Sequence, residues 1–424
     1  MRAAFNIVCF LALLAAPLQA QDNVITIAGQ ALISGATNAS GTNALFSNPA
    51  AIVADANGNL FVADSQNHAI RKISTNGIVS TFAGQLAVAG STDGTGTQAQ
   101  FDSPSGVALD KNGNLFVSDT GNHTIRKITS AGVVTTIAGA VGQSGFTDAT
   151  GTIAQFHSPL GLAVATNGTL YVADSGNHLI RSISPGGVVN TLAGLAETWG
   201  SADGTGTNAR FNGPVGIALD QQGELFVSDA NNHTIRKITS NGTVSTWAGV
   251  AGADGCVDEH RQLARFCKPA ELALDAHGNL FVADSFNHVI RKISRNGNVT
   301  TISGLIGNSG SSDGVNGTAR FFNPYGVAVR PDGILITTDA YNELIRVVFV
   351  PFQLTIQKMG GSNSTALSWD AVVGQRYQVQ SMSALDSRAW TNIGSAVTAT
   401  NLAFTMTDAP GSATTKIYRV LVVP

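Results

Sequence analysis

The stretch Val62-Ala63-Asp64-Ser65-Gln66-Asn67-His68-Ala69-Ile70-Arg71-Lys72-Ile73 decides the fold, because close copies of it return five more times. Its aspartate recurs as Asp119, Asp174, Asp229, Asp284 and Asp339, each 55 residues after the last. A second landmark keeps the same step: Phe46, Phe101, Phe156, Phe211, Phe266 and Phe321. A fixed period of this kind signals a repeat architecture, here of six units without insertions between the landmarks.

Working outward, each unit holds four apolar runs separated by turn residues. In the second unit they are Gly106 to Asp110, Leu115 to Ser118, Thr124 to Ile128 and Val133 to Ala138. The breaks are Lys111-Asn112-Gly113-Asn114, Thr120-Gly121-Asn122-His123 and Ser130-Ala131-Gly132. Asn and Gly accept the positive φ that tight hairpins need. Four antiparallel strands repeated six times read as an all-β, six-bladed propeller. The sixth unit lacks its fourth run, and Val24-Ile25-Thr26-Ile27-Ala28-Gly29 matches the missing one. An N-terminal strand that completes the last blade would close the ring and remove its exposed edges.

The pattern Pro-x-Gly-Val-Ala-Leu-Asp, Gly-Asn-Leu-Phe-Val-Ser-Asp, Asn-His-x-Ile-Arg-Lys-Ile and a closing Ala-Gly resembles the NHL repeat. The long connection Asp203 to Phe211 is similar to NHL repeats of exported bacterial proteins and of teneurins. The resemblance covers residues 24 to about 350 and implies a six-bladed propeller. It also implies a protein- or ligand-binding role, with lyases and lactonases among the relatives. Residues 351–424 abandon the period, and alternating runs such as Tyr377-Gln378-Val379-Gln380 suggest a small β-sandwich. That module resembles fibronectin-III-like C-terminal modules, with Trp369, Trp390 and Tyr418 as expected core anchors.

Residues 1–20 read as a cleavable export signal: Arg2, a short apolar run and Leu18-Gln19-Ala20 before a polar start. That run is too short to span a bilayer, and no later segment is apolar enough. The expected location is therefore extracellular, periplasmic or at the cell surface, with residues 21–350 as the propeller and 351–424 as the second module. Charged residues are only 12% of the chain and the net charge is −3, so no basic surface recruits nucleic acid. The chain reads as a monomer whose partner is an extracellular protein or glycan. Of three cysteines, Cys256 and Cys267 lie beyond the signal and are expected to form a disulfide in an oxidising compartment.

Asp, Asn, His and Arg in every blade invite a catalytic reading, but a residue present in all six satisfies a need common to all six. Asp119 ends a strand, where it can accept backbone N–H groups of the turn. For Arg126 a partner carboxylate on a neighbouring blade is one hypothesis. His68, His123, His178, His233 and His288, with Glu343 in sixth place, lie between the second and third strands. At about 4.8 Å per strand they stand roughly 10–15 Å from the axis. Zinc ligands at about 2.0–2.1 Å cannot be drawn from such a ring. No metal and no cofactor are expected.

Strand direction puts the long connections and the Asn-His turns on one face, the expected working face. Blade five departs most, its connection reading Cys256-Val257-Asp258-Glu259-His260-Arg261 before Phe266-Cys267. A disulfide there would stabilise the loop by about 3 kcal/mol and present Glu259, His260 and Arg261. Glu271 stands where four blades carry Gly106, Gly161, Gly216 and Gly326, at the channel mouth. Glu271 with His260 is the one acid–base pair to consider for chemistry. Trp199 is a candidate stacking platform for a sugar or peptide. No Gly-x-Ser-x-Gly elbow, P-loop or zinc-helix motif is present.

Overall fold

The computed structural model describes residues 24–314 and 317–349, and six strand segments between 354 and 423. The proposed signal at residues 1–20 lies outside the described residues. Two compact units are resolved, one spanning Asp22–Val350 and the other containing Pro351–Pro424.

Blade one holds strands Pro49–Ala54, Leu60–Asp64, Ala69–Ile73 and Val79–Ala83 in that order from the axis outward. Blades two to five repeat this order from Pro104, Pro159, Pro214 and Pro269. Blade six supplies Pro324–Val329, Leu335–Asp339 and Leu344–Val348. Its fourth strand is Val24–Ala28, antiparallel with Val24 opposite Val348, as the sequence pattern requires. The six innermost strands contact one another around a closed ring.

Alternation along each strand buries Val, Ile and Leu on both faces, because every blade is sandwiched between two others. One core cluster accordingly fills each gap between blades, such as Phe61, Ile70, Phe101 and Val117 between blades one and two. The first turn is held by an aspartate: Asp110 accepts N–H groups from Asn112 at 2.9 Å and Asn114 at 2.8 Å. Close approach explains the inner glycines. A Cβ on Gly106 would lie 2.1 Å from the Leu160 carbonyl of the next blade.

The connections between blades follow a path that strand order alone does not predict. Their first halves rest on the preceding blade's Asn-His turn, as Ala87 N–H does on the Asn67 carbonyl. Their second halves run along the outer edge of the following blade. In blades two and four they form a short fifth strand, Gly94–Thr95 and Gly204–Thr205. Ser40, Thr150 and His260 pair with Ile78, Val188 and Asn298 in the same manner. The tips then dock on the turn between strands three and four, Gly96 N–H meeting the Gly132 carbonyl at 2.8 Å.

The second unit contains two three-stranded antiparallel sheets. Leu354–Lys358, Thr365–Asp370 and Ala403–Asp408 form one; Thr391–Thr398, Arg376–Met382 and Ile417–Val423 form the other. Leu367 and Met406 of the first sheet share a core with Tyr377, Val379 and Val420 of the second. The side chains of Trp369, Trp390 and Tyr418, expected there as anchors, lie outside the described residues.

Candidate functional site

The repeated polar residues form a buried frame. Arg126 is fully buried and donates to Asp119 at 2.6 Å, to Asp93 at 2.7 Å and to the carbonyls of Gln100 and Thr92. Its guanidinium lies 5.0 Å from the Phe101 ring centroid. Asp119 also accepts Asn122 Nδ2 at 2.8 Å and the Asp102 backbone N–H at 2.7 Å. The same arrangement surrounds Arg181, Arg236, Arg291 and Arg346, and Arg71 repeats it with the Asn38 amide oxygen in place of the second carboxylate. The pairing expected across to a neighbouring blade is thus corrected: arginine and both carboxylates belong to one repeat. Burial pushes the six strand-end aspartates up to about 6, against the pull of the arginine and two further donors.

The histidines turn out to join blades. His68 Nδ1 accepts the Ser103 N–H at 3.0 Å, and His123 accepts Ser158 at 3.1 Å. His178, His233 and His288 do the same to Gly213, Lys268 and Asn323. Glu343 completes the ring by accepting the Asn48 N–H, so its substitution for histidine preserves the acceptor. Each of the six acceptors sits in left-handed geometry, His123 at φ 61, which aims its side chain at the next blade. Partial burial holds His123, His178, His233 and His288 below the usual histidine range. Sequence reasoning had their structural character but not this inter-blade contact.

Blade five departs from the frame in three ways. First, Cys256 and Cys267 are free thiols, so the expected disulfide is not formed. Cys256 Sγ faces inward and accepts Arg291 at 3.2 Å, while Cys267 Sγ lies 4.0 Å from Asp254. The two side chains serve different neighbours, and burial pushes the Cys256 thiol up to about 11. Second, Glu259, His260 and Arg261 lie on the outer rim beside Gly297 and Asn298 rather than on the Asn-His turn face. Third, His260 pairs beyond the fourth strand and Glu271 is on the first, about 19 Å apart at ~4.8 Å per strand, so the expected acid–base pair does not form.

Glu271 is on the innermost strand and 8% exposed. Burial without a cation pushes its carboxyl up to about 8, opposed only by the Leu272 N–H. Tyr325, on the neighbouring innermost strand, packs against the cores of both blades one–two and blades five–six. Burial first, then the Glu271 charge, raises its hydroxyl far above the usual range.

Exposed apolar side chains occur on the outer rim, where Ile153 and Leu263 stand at connection tips, and on the Asn-His turn face. Trp199 (69% exposed), Leu32 (68%), Phe286 (50%) and Tyr341 (51%) all lie on these turns or the connection halves resting on them. Edge contacts link His288 to Phe322 at 5.7 Å and Phe322 to Tyr341 at 5.2 Å, making an aromatic run across blades five and six. Phe286 escaped sequence reasoning, since nothing in the repeat marks a turn residue as exposed.

The NHL repeat is matched at residues 46–73, 101–128, 156–181 and 211–238. Among curated proteins, the chain is 30% identical to Protein SUPPRESSOR OF QUENCHING 1, chloroplastic, of Arabidopsis thaliana, over 60% of this chain and 26% of that protein. It is 30% identical to NHL repeat-containing protein 2 of Bos taurus, over 56% of this chain and 38% of that protein. Human Teneurin-4 is 25% identical over 56% of this chain and 10% of its own length. The chain thus spans well under half the length of these relatives. Among solved structures, a Bacteroides thetaiotaomicron protein of unknown function superposes with a TM-score of 0.60 at 22% identity, over 76% of this chain and 74% of that one. An auxiliary nutrient binding protein from the same species gives 0.59 at 17%, over 76% and 75%. At these identities the likeness concerns the fold alone.

Proposed function

We propose that this six-bladed NHL-repeat propeller is an exported recognition protein that binds an extracellular protein or glycan through its Asn-His turn face. The observation that carries this reading is the division of labour among the side chains. The repeated Asp, Asn, Arg and His are consumed by the frame and the inter-blade contacts. Large aromatic side chains, Trp199, Phe286 and Tyr341, are left exposed on the turn face to meet a partner. Exposed aromatics on loops held by a rigid scaffold are the usual anchors of recognition surfaces. The signal-like N-terminus supports export, and the solved propeller named as a nutrient binding protein supplies a precedent for the scaffold in that role.

A screen of immobilised glycans and secreted proteins against the full chain tests this reading. Trp199→Ala and the pair Phe286→Ala/Tyr341→Ala are run beside it. At least one variant weakens a detected partner by about tenfold, the loss of about 1.4 kcal/mol expected of an anchor. Retention of full affinity by both moves the site off this face. A second reading, a propeller lyase or lactonase, rests on Glu271: a buried carboxyl without a cation, beside Tyr325, is equipped to deliver a proton. Lactone or lyase activity abolished by Glu271→Gln with partner binding intact would favour it.

A further inference from the structure

Between blades four and five, away from the Asn-His turns, the structure contains a cleft of about 650 Å³. Its walls are the turns between first and second strands of both blades and the outer strands of blade four. The charges around it are unequal in their commitments. Asp220 accepts the N–H groups of Gln222 and Glu224, and Asp275 those of His277 and Asn279. Glu224 is paired with Lys237 at 2.6 Å. Arg261 and Arg295 line the same cleft, and among the described residues neither has a carboxylate partner.

Arg261 is held in place without a salt bridge. Its guanidinium sits 5.1 Å from the Trp247 ring centroid, and that indole is braced edge-on by Phe226 at 4.8 Å. Its Nε is buried and has no hydrogen-bond acceptor. Both residues depart from the repeat: Gly41, Gly96, Gly151 and Gly206 occupy the place of Arg261, and Phe82, Ile137 and Leu192 that of Trp247. The cleft therefore combines two uncommitted guanidiniums, apolar patches from Leu219 and Leu274, and the amides of Gln221 and Gln222.

We propose that this cleft binds a carboxylated saccharide, with Arg261 and Arg295 taking the carboxylate. A guanidinium fork matches a carboxylate with two parallel hydrogen bonds, and a stacked arginine has already lost its rotamer freedom. Sugar hydroxyls suit the glutamine amides, and a ring's apolar face suits the two leucines. The site is independent of the turn face assigned above, so the two readings fail separately.

Calorimetric titration of the full chain with trigalacturonate, its methyl ester and inorganic phosphate tests the proposal. Arg261→Gly restores the residue of four other blades, so folding is preserved. The acid is expected to bind, the ester and phosphate at least about tenfold more weakly, and both Arg261→Gly and Arg295→Ala to lose about tenfold for the acid. Trp199→Ala leaves the titration unchanged. Equal binding of the ester, equal binding of phosphate, an unaltered Arg261→Gly isotherm, or no heat with millimolar acid would each overturn it.

Discussion

Arg126 and Arg261 stand on the same repeat-built scaffold and are held in opposite ways. Arg126 is buried, charge-paired twice, and copied in all six blades. Arg261 occurs once, lies on an aromatic ring, and meets no carboxylate among the described residues. In a repeat protein, then, recurrence measures structural need, and an unpaired charge at a position that does not recur marks where one blade has been given a separate task.

The largest expected effect tests the buried side of that comparison. Arg126→Ala leaves Asp119 buried without its cation, which costs about 3–5 kcal/mol. Urea unfolding should give a similar loss for Arg181→Ala, since the frame is the same; a loss below about 1 kcal/mol in either would break the equivalence. Next comes Glu271→Gln. The folded carboxyl titrates near 8, above its ordinary value of 4.5, so wild-type stability is fullest below 4.5 and declines as pH rises through 8. The glutamine variant lacks that decline and should exceed wild type at pH 9 by a few kcal/mol, at about 1.36 kcal/mol per pKa unit. Parallel melting curves of the two proteins would contradict this.

A smaller effect is expected at the inter-blade contacts. His123→Leu removes the acceptor for the Ser158 N–H and should cost about 1 kcal/mol at pH 8. The folded histidine titrates below its ordinary range, so its contribution is present above that range and is lost as pH falls through the folded value. The difference in melting temperature between wild type and variant should therefore shrink towards pH 5, and a constant difference would remove the histidine from the contact. Smallest is Arg261→Gly, which should lower the unfolding free energy from urea titration by less than about 1 kcal/mol, the value of a partly exposed cation–π contact.

Six blades and the closing strand were legible because period, apolar alternation and Asn-Gly turns are local signals. The paths of the connections were not. A two-residue pairing such as Gly94–Thr95 with Val133–Val134 has no pattern of its own and is fixed by the tip glycine reaching a distant turn. That path carried Glu259, His260 and Arg261 to the rim and undid the pairing with Glu271. The cysteines failed for a related reason: proximity along the chain does not fix side-chain direction, and Arg291 draws Cys256 inward. Nor does the sequence place Trp247 beneath Arg261, a contact made only once the connection to the next blade is folded against it.

The pairing of Val24–Ala28 with Leu344–Val348 has a consequence for assembly. The strand that seals the ring enters the growing chain more than three hundred residues before its partner. Both ends of the seam must be available before either can settle, so the circle closes as a single late event. Loop-closure entropy grows only logarithmically with such a span, which makes so distant a clasp tolerable. It also gives the molecule one seam, between the ends of blade six, where pulling on its termini would first open it.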